Sequence, residues 1–270
     1  MGNLEQARRQ IEDLIRAAPG KVGLVTKDLS TGDTLQWSPE ERFPAASIIK
    51  IPILVEALRQ EQAGRLRLDE RILVRPEDKV GGFGVLKELG SVESVSLLDL
   101  MTLMIVISDN TAANLCIARV GMEAVNETMA SLGLRATILR RKMMDVAARE
   151  RGLDNFTSPA DIGRLLELLA TNQALTPEGC AHSLDILTRQ QVNDRLPLLL
   201  PPQVKVAHKT GELPGIRHDV GIVFIDSRRI LIAALTKDFN TPLGQGLVGG
   251  QASELIARIS RSIFDAITGR

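Results

Sequence analysis

The chain has 270 residues, and its lysine plus arginine balance its aspartate plus glutamate at 33 each. Zero formal net charge argues against broad electrostatic binding to nucleic acid or anionic membrane. Two cysteines, Cys116 and Cys180, are too few for a disulfide framework, and the length suits one large domain or two lobes with a real core.

In chain order, the polar residues 1–8 lack the apolar stretch of a signal peptide, so the expected setting is cytoplasmic, or secreted or periplasmic with a trimmed leader. Residues 4–18 predict an amphipathic helix with Leu4, Ala7, Ile11, Leu14 and Ile15 on one stripe, stopped by Pro19-Gly20. Residues 22–29 and 34–37 read as strands around the turn Ser30-Thr31-Gly32-Asp33. Residues 47–60 read as a helix that tolerates Pro52 near its start. Gly81-Gly82-Phe83-Gly84 is a flexible loop with no P-loop lysine, so it is not a phosphate site. Residues 92–107 are apolar with helical period, break at Ser108-Asp109-Asn110, and resume over 111–120, which carries Cys116 as a buried free thiol.

Further helices are expected at 122–132, at 158–170 with Ser158 as N-cap and Pro159 behind it, and after Thr176-Pro177. Strand patterns return at 204–209, 219–225 and 229–236, and 251–267 closes as an amphipathic helix. The fold class is therefore α/β: an antiparallel sheet of the terminal strands, flanked by the terminal helices, plus an all-helical lobe. Residues 1–45 and 192–270 are assigned to the sheet domain and 46–191 to the helical domain, with the site in the cleft between them. No segment is long and apolar enough to span a bilayer.

Chemistry concentrates in three motifs: Ser47-Ile48-Ile49-Lys50, Ser108-Asp109-Asn110 and Lys209-Thr210-Gly211. Ser-x-x-Lys alone is expected about once by chance at this length, but all three in this order are rare. They supply a hydroxyl nucleophile, an amine to take its proton, a second hydroxyl and a second lysine. Lys50 lies one helical turn after Ser47, within reach. To act as base it must be neutral near pH 7, which burial and the charge of Lys209 would favour. With no tyrosine in the chain, proton relay falls to Ser108. Lys209 and Thr210 are candidates to bind a substrate carboxylate, Gly211 leaves room for the substrate, and Asn110 bonds the substrate amide or orients Lys50. His208 faces away from Lys209 on an alternating strand and reads as structural; His182 reads as helix surface. Three histidines and two cysteines show no ligand spacing, so neither a metal nor a cofactor is expected.

These motifs resemble the class A β-lactamase family and its penicillin-binding serine hydrolase relatives. The likeness spans nearly the whole chain, including Phe43-Pro44-Ala45-Ala46 before Ser47, the run Ser108 to Asn114, and Phe156-Thr157-Ser158-Pro159 at the end of the omega loop. It implies a β-lactamase-like fold and a small-molecule substrate, a β-lactam or a D-Ala-type peptide. It implies backbone oxyanion donors at Ser47 and Glu212, and a second carboxylate-binding cation at Arg217 or His218. One departure stands out. The omega-loop glutamate that activates the deacylating water should fall near Met143 or Met144, where no carboxylate occurs. Asp145 and Glu150 are the nearby substitutes. The expectation is a serine acyl-enzyme hydrolase, acylated at Ser47 by β-lactams and slow to hydrolyse them. The alternatives are a penicillin-binding D,D-peptidase or peptide or ester hydrolase, and a non-catalytic β-lactam-binding module.

Overall fold

Three long strands from the C-terminal third pair with two from the N-terminus in the computed structural model, which describes residues 3–239 and 250–269. Strand β1 (Lys21–Asp28) has β2 (Thr34–Trp37) on one side and β9 (Arg228–Lys237) on the other. Strand β8 (Ile216–Ile225) then joins β9 to β7 (Lys205–Leu213), giving the antiparallel order β2-β1-β9-β8-β7. Period-two alternation divides the sheet between two cores. Leu24, Val223, Ile230, Ile232 and Ala234 pack beneath the terminal helices α1 (Leu4–Arg16) and α9 (Gly250–Thr268). Val25, Val220, Ile222, Leu231, Ala233 and Leu235 face the opposite way, into the main core. With both faces covered, the strands read as near-continuous apolar runs.

The main core is built on α2 (Lys50–Gln62), whose residues from Lys50 to Leu58 are all buried. A helix that is apolar nearly all round must be surrounded. Around it lie α3 (Leu97–Val106), α4 (Asn110–Val120), α5 (Met122–Ser131), α7 (Pro159–Ala170) and α8 (Pro177–Thr188). The expected α/β class and antiparallel sheet hold. Ser158 and Thr176 cap α7 and α8, as their sequence context indicates. Cys116 is a buried free thiol, its pKa pushed up to about 12 by burial.

Three local features differ from expectation. The helix expected over 92–107 begins only at Leu97. Residues Ser94–Ser96 form β5, paired with β4 (Arg71–Leu73), and Ser96 caps the helix. The serine segment opens as a 3-10 turn, Ala46–Ile49, before α2 begins. Finally, Phe43–Pro44 (β3) and Phe156–Thr157 (β6) form a small two-stranded sheet that the sequence pattern did not signal.

The joint between α3 and α4 aims the second motif. Ser108 takes the left-handed conformation, φ 58°, uncommon for a residue with a side chain and a recurrent place for strain at functional sites. Asp109 then caps α4 through Ala112 N–H at 2.9 Å. Its other oxygen accepts from Val85 and Leu86 N–H at 2.7 and 2.8 Å, clamping the glycine loop. Gly84, at φ +112°, has no room for a side chain against Asp109. Asp109→Ala would leave three backbone donors without this acceptor. It is expected to cost about 3 kcal/mol or more, read as a lower urea midpoint.

Candidate active site

The 3-10 winding of Ala46–Ile49 turns three residues per turn, so Ser47 and Lys50 share one face. Lys50 Nζ lies 3.1 Å from Ser47 Oγ. It also lies 2.8 Å from the Ser108 carbonyl, 3.1 Å from Ser108 Oγ and 2.9 Å from Asn110 Oδ1. Two of these four oxygens, the carbonyl and the amide, can only accept. A neutral amine satisfies both with its two N–H bonds and keeps one lone pair, which can accept from either hydroxyl in turn. The first two motifs thus converge on one nitrogen that can take a proton from Ser47 and pass one to Ser108.

Lys50 is fully buried, and burial lowers its pKa from 10.5 to about 7, with Asp109 opposing the shift. Lys209, also fully buried, is pushed well below its usual range by burial and by the charge of Lys50. The two buried amines repel each other when both are protonated, so burial and this like charge act in the same direction. Lys209 Nζ donates to the Thr210 carbonyl at 2.9 Å. Thr210 lines a small recess with Ser47, Phe83, Ser108, Val192, Arg195 and Glu212. The side-chain position of Gly211 points toward the protein. A Cβ there would sit 3.2–3.3 Å from His218, Ala45 and Ala46, so this glycine lets β7 approach the serine turn.

Neither candidate for the second cation faces the cleft freely. His218 is fully buried; its Nδ1 accepts from Thr236 N–H at 3.1 Å and its Nε2 donates to the Pro44 carbonyl at 2.8 Å. Burial lowers its pKa to about 4, which keeps it neutral and makes it a bolt between the sheet and the serine segment. Arg217 turns to Glu212 at 3.0 Å and to the carbonyls of Leu213 and Ile216. The cation lining the recess is instead Arg195, 1% exposed, which carries no motif. Its only sequence signal is a charge beside the apolar stretch Leu196-Pro197-Leu198-Leu199-Leu200. Asp219 holds this segment through Leu196 N–H and bonds His208, which is buried and structural as its strand position implies.

The loop between α5 and α7 closes the other wall. Asn155 Oδ1 accepts from Arg140 and Arg141 N–H, and its amide donates to the Arg141 carbonyl, cinching the neck. Arg141 pairs with Asp154 at 2.7 Å. Asn114, on α4, grips Met143 from both sides: Met143 N–H donates to Oδ1 at 2.7 Å and Nδ2 donates to the Met143 carbonyl at 3.1 Å. Met143 and Met144 then line a cleft of about 320 Å³ with Ser47, Phe83, Asn110, Asp145, Val146, Glu212, Leu213 and others. Asp145 caps the short helix α6 (Val146–Glu150) through Ala148 N–H at 2.9 Å. Glu150 is exposed at the far end of α6, outside the cleft lining. Among the described residues, the carboxylates lining this cleft are Asp145, one oxygen of which caps α6, and Glu212, which pairs with Arg195 and Arg217.

Comparison with known proteins agrees with this geometry. A family model described as the beta-lactamase enzyme family matches residues 6–267. A β-lactamase from Sphaerobacter thermophilus is similar at 31% identity and TM-score 0.89, over 100% of this chain and 99% of that one. A mutant of PBP-A, solved as an acyl-enzyme complex with penicillin G, is similar at 31% identity and TM-score 0.87, over 99% and 98%. An ancestral (GNCA) class A β-lactamase gives 26% identity and TM-score 0.85, over 97% and 100%.

Proposed function

The chain belongs to the beta-lactamase enzyme family of class A serine hydrolases, and on that premise we propose that Ser47 is acylated by β-lactams and that the acyl-enzyme is long-lived. Ser47 Oγ attacks the strained carbonyl as its proton passes to neutral Lys50. The tetrahedral oxyanion is held by the backbone N–H groups of Ser47 and Glu212. As the carbon–nitrogen bond breaks, Lys50 returns the proton through Ser108 to the leaving nitrogen, and the ester remains on Ser47. Arg195, Thr210 and Lys209 form the electropositive side on which a substrate carboxylate would settle. The cleft lies where a sheet domain (1–45 and 192–270) would meet a helical domain (46–191).

The observation that carries slow release is Met143. Asn114 fixes its backbone, it lines the cleft where the resemblance calls for a carboxylate, and Asp145 beyond it is turned to capping α6. Ester hydrolysis then lacks a base to activate water. The same deficit suits a hydrolase whose natural acyl donor is a peptide or ester of D-Ala type.

Intact-mass spectrometry during incubation with penicillin G tests this reading. A persistent adduct is expected, mapping to the tryptic peptide Phe43–Lys50. Rapid turnover with only a transient adduct would overturn slow release, and no adduct would overturn acylation itself.

A further inference from the structure

His208 does more than fill the sheet. By the period-two alternation of β7, His208, Thr210 and Glu212 share one face, and Asp219 on β8 stands directly opposite Thr210. His208 is 1% exposed and Asp219 is fully buried. The imidazole bridges two partners. Its Nδ1–H donates to the Asp219 carboxylate at 2.8 Å, and Nε2 meets Asn193 Oδ1 at 3.0 Å. Asp219 in turn accepts from Leu196 N–H at 2.9 Å. The turn 193–196 is therefore gripped at both ends by one buried pair, with Arg195 between the grips. This turn lies in a stretch, from the end of α8 at Thr188 to the start of β7 at Lys205, that forms neither helix nor strand. With no ladder of its own to fix it, its placement depends on side-chain bonds of this kind.

Arg195 is the cation that lines the recess with Ser47, Ser108 and Thr210. Its guanidinium donates to Ser253 Oγ at 3.2 Å, to the His218 carbonyl at 3.4 Å and to Glu212 at 2.9 Å. Among the described residues these bonds use three of its five N–H groups.

We propose that His208 is a positioning residue: with Asp219 it clamps the turn 193–196 and so holds Arg195 where a substrate carboxylate settles. This rests on the reading that the carboxylate settles beside Arg195, Thr210 and Lys209. Recognition of a carboxylate by a guanidinium is directional, and a displacement of about 1 Å is enough to spoil it. His208 itself lines neither the cleft nor the recess, so its effect falls on acyl donors that carry the carboxylate.

The test compares second-order acylation rates for penicillin G and its methyl ester in the wild type, in His208→Phe and in Asn193→Ala. The wild type is expected to favour the acid. Phenylalanine keeps a ring but loses both nitrogens, and the acid-to-ester rate ratio is expected to fall about tenfold, mainly through the acid. Asn193 is exposed, so Asn193→Ala spares the core and releases one end of the turn. Its ratio is expected to fall about threefold with the ester rate unchanged. A general loss of folded protein lowers both rates together and leaves the ratio alone. A ratio within about twofold of the wild type in His208→Phe, or unchanged in Asn193→Ala, removes His208 from this role. If His208→Phe does not fold, Asn193→Ala decides alone. A wild-type preference for the acid that survives in the variants sinks the clamp only. A wild type that treats acid and ester alike overturns the carboxylate reading, and the clamp with it. If neither compound labels Phe43–Lys50, acylation itself has failed, and this inference goes with it.

Discussion

Replacing Lys50 with Met is expected to slow acylation of Ser47 by penicillin G about 10³-fold, the scale of a lost general base. Methionine is unbranched and of similar length, so it fills the buried position without a nitrogen. The expected loss follows from the four oxygens around Nζ, since no other described amine or imidazole lies within hydrogen-bond reach of Ser47 Oγ. A pH signature accompanies it. The active form is the neutral amine, and burial places the Lys50 pKa at about 7. The wild-type rate should therefore rise with pH, by about tenfold from pH 6 to pH 8, and level off above. Lys50→Met should lose that inflection. Stopped-flow measurement of adduct formation across pH reads both effects. Retention of the rate within fivefold, or a wild-type rate flat across this range, would remove Lys50 from the role of base.

How much of this site was legible in the sequence depended on whether a contact is local. Ser47 and Lys50 are three residues apart, and any helical winding puts them on one face, so the pair is readable even though the turn is 3-10 and not α. Ser158 and Thr176 as helix caps are readable for the same reason, because side chain and backbone partner lie within one turn. The convergence of Ser108 and Asn110 on Lys50 is long-range, and only the motif order hinted at it. Arg195 was not legible: its partners come from β7, β8 and α9, and nothing within its own segment marks it. Arg217 and His218 were named from the resemblance, and position along the chain does not reveal the partners that engage them, Glu212 for one and Pro44 and Thr236 for the other. Burial was expected to lower the Lys50 pKa and does so, but how complete that burial is was not legible. Burial depends on the packing of α2 among its neighbours, a property of the whole core and not of a spacing.

The loop that decides the second half-reaction leads to the other large expected effect. Met143→Glu should shorten the lifetime of the penicillin acyl-enzyme by about 10²-fold or more. The backbone at this position does not depend on its side chain, because Asn114 holds both the N–H and the carbonyl of Met143. Glutamate is close to methionine in length, so its carboxylate would project into the cleft that Ser47 lines. Met143 is only 7% exposed, so the new carboxyl loses solvation and its pKa rises. Desolvation makes it a stronger base when ionised and sets a pH limit: hydrolysis should fall as the pH drops through that raised value. Met143→Gln is the control, with the same shape and hydrogen-bonding capacity but no basic oxygen, and its adduct lifetime should stay within a few fold of the wild type. Release of penicilloate measured against adduct decay separates hydrolysis from unfolding. If Met143→Glu and Met143→Gln release product equally slowly, a missing carboxylate is not what limits turnover. The cause would then lie in access of water past Phe83, Met144 and Val146, which line the same cleft.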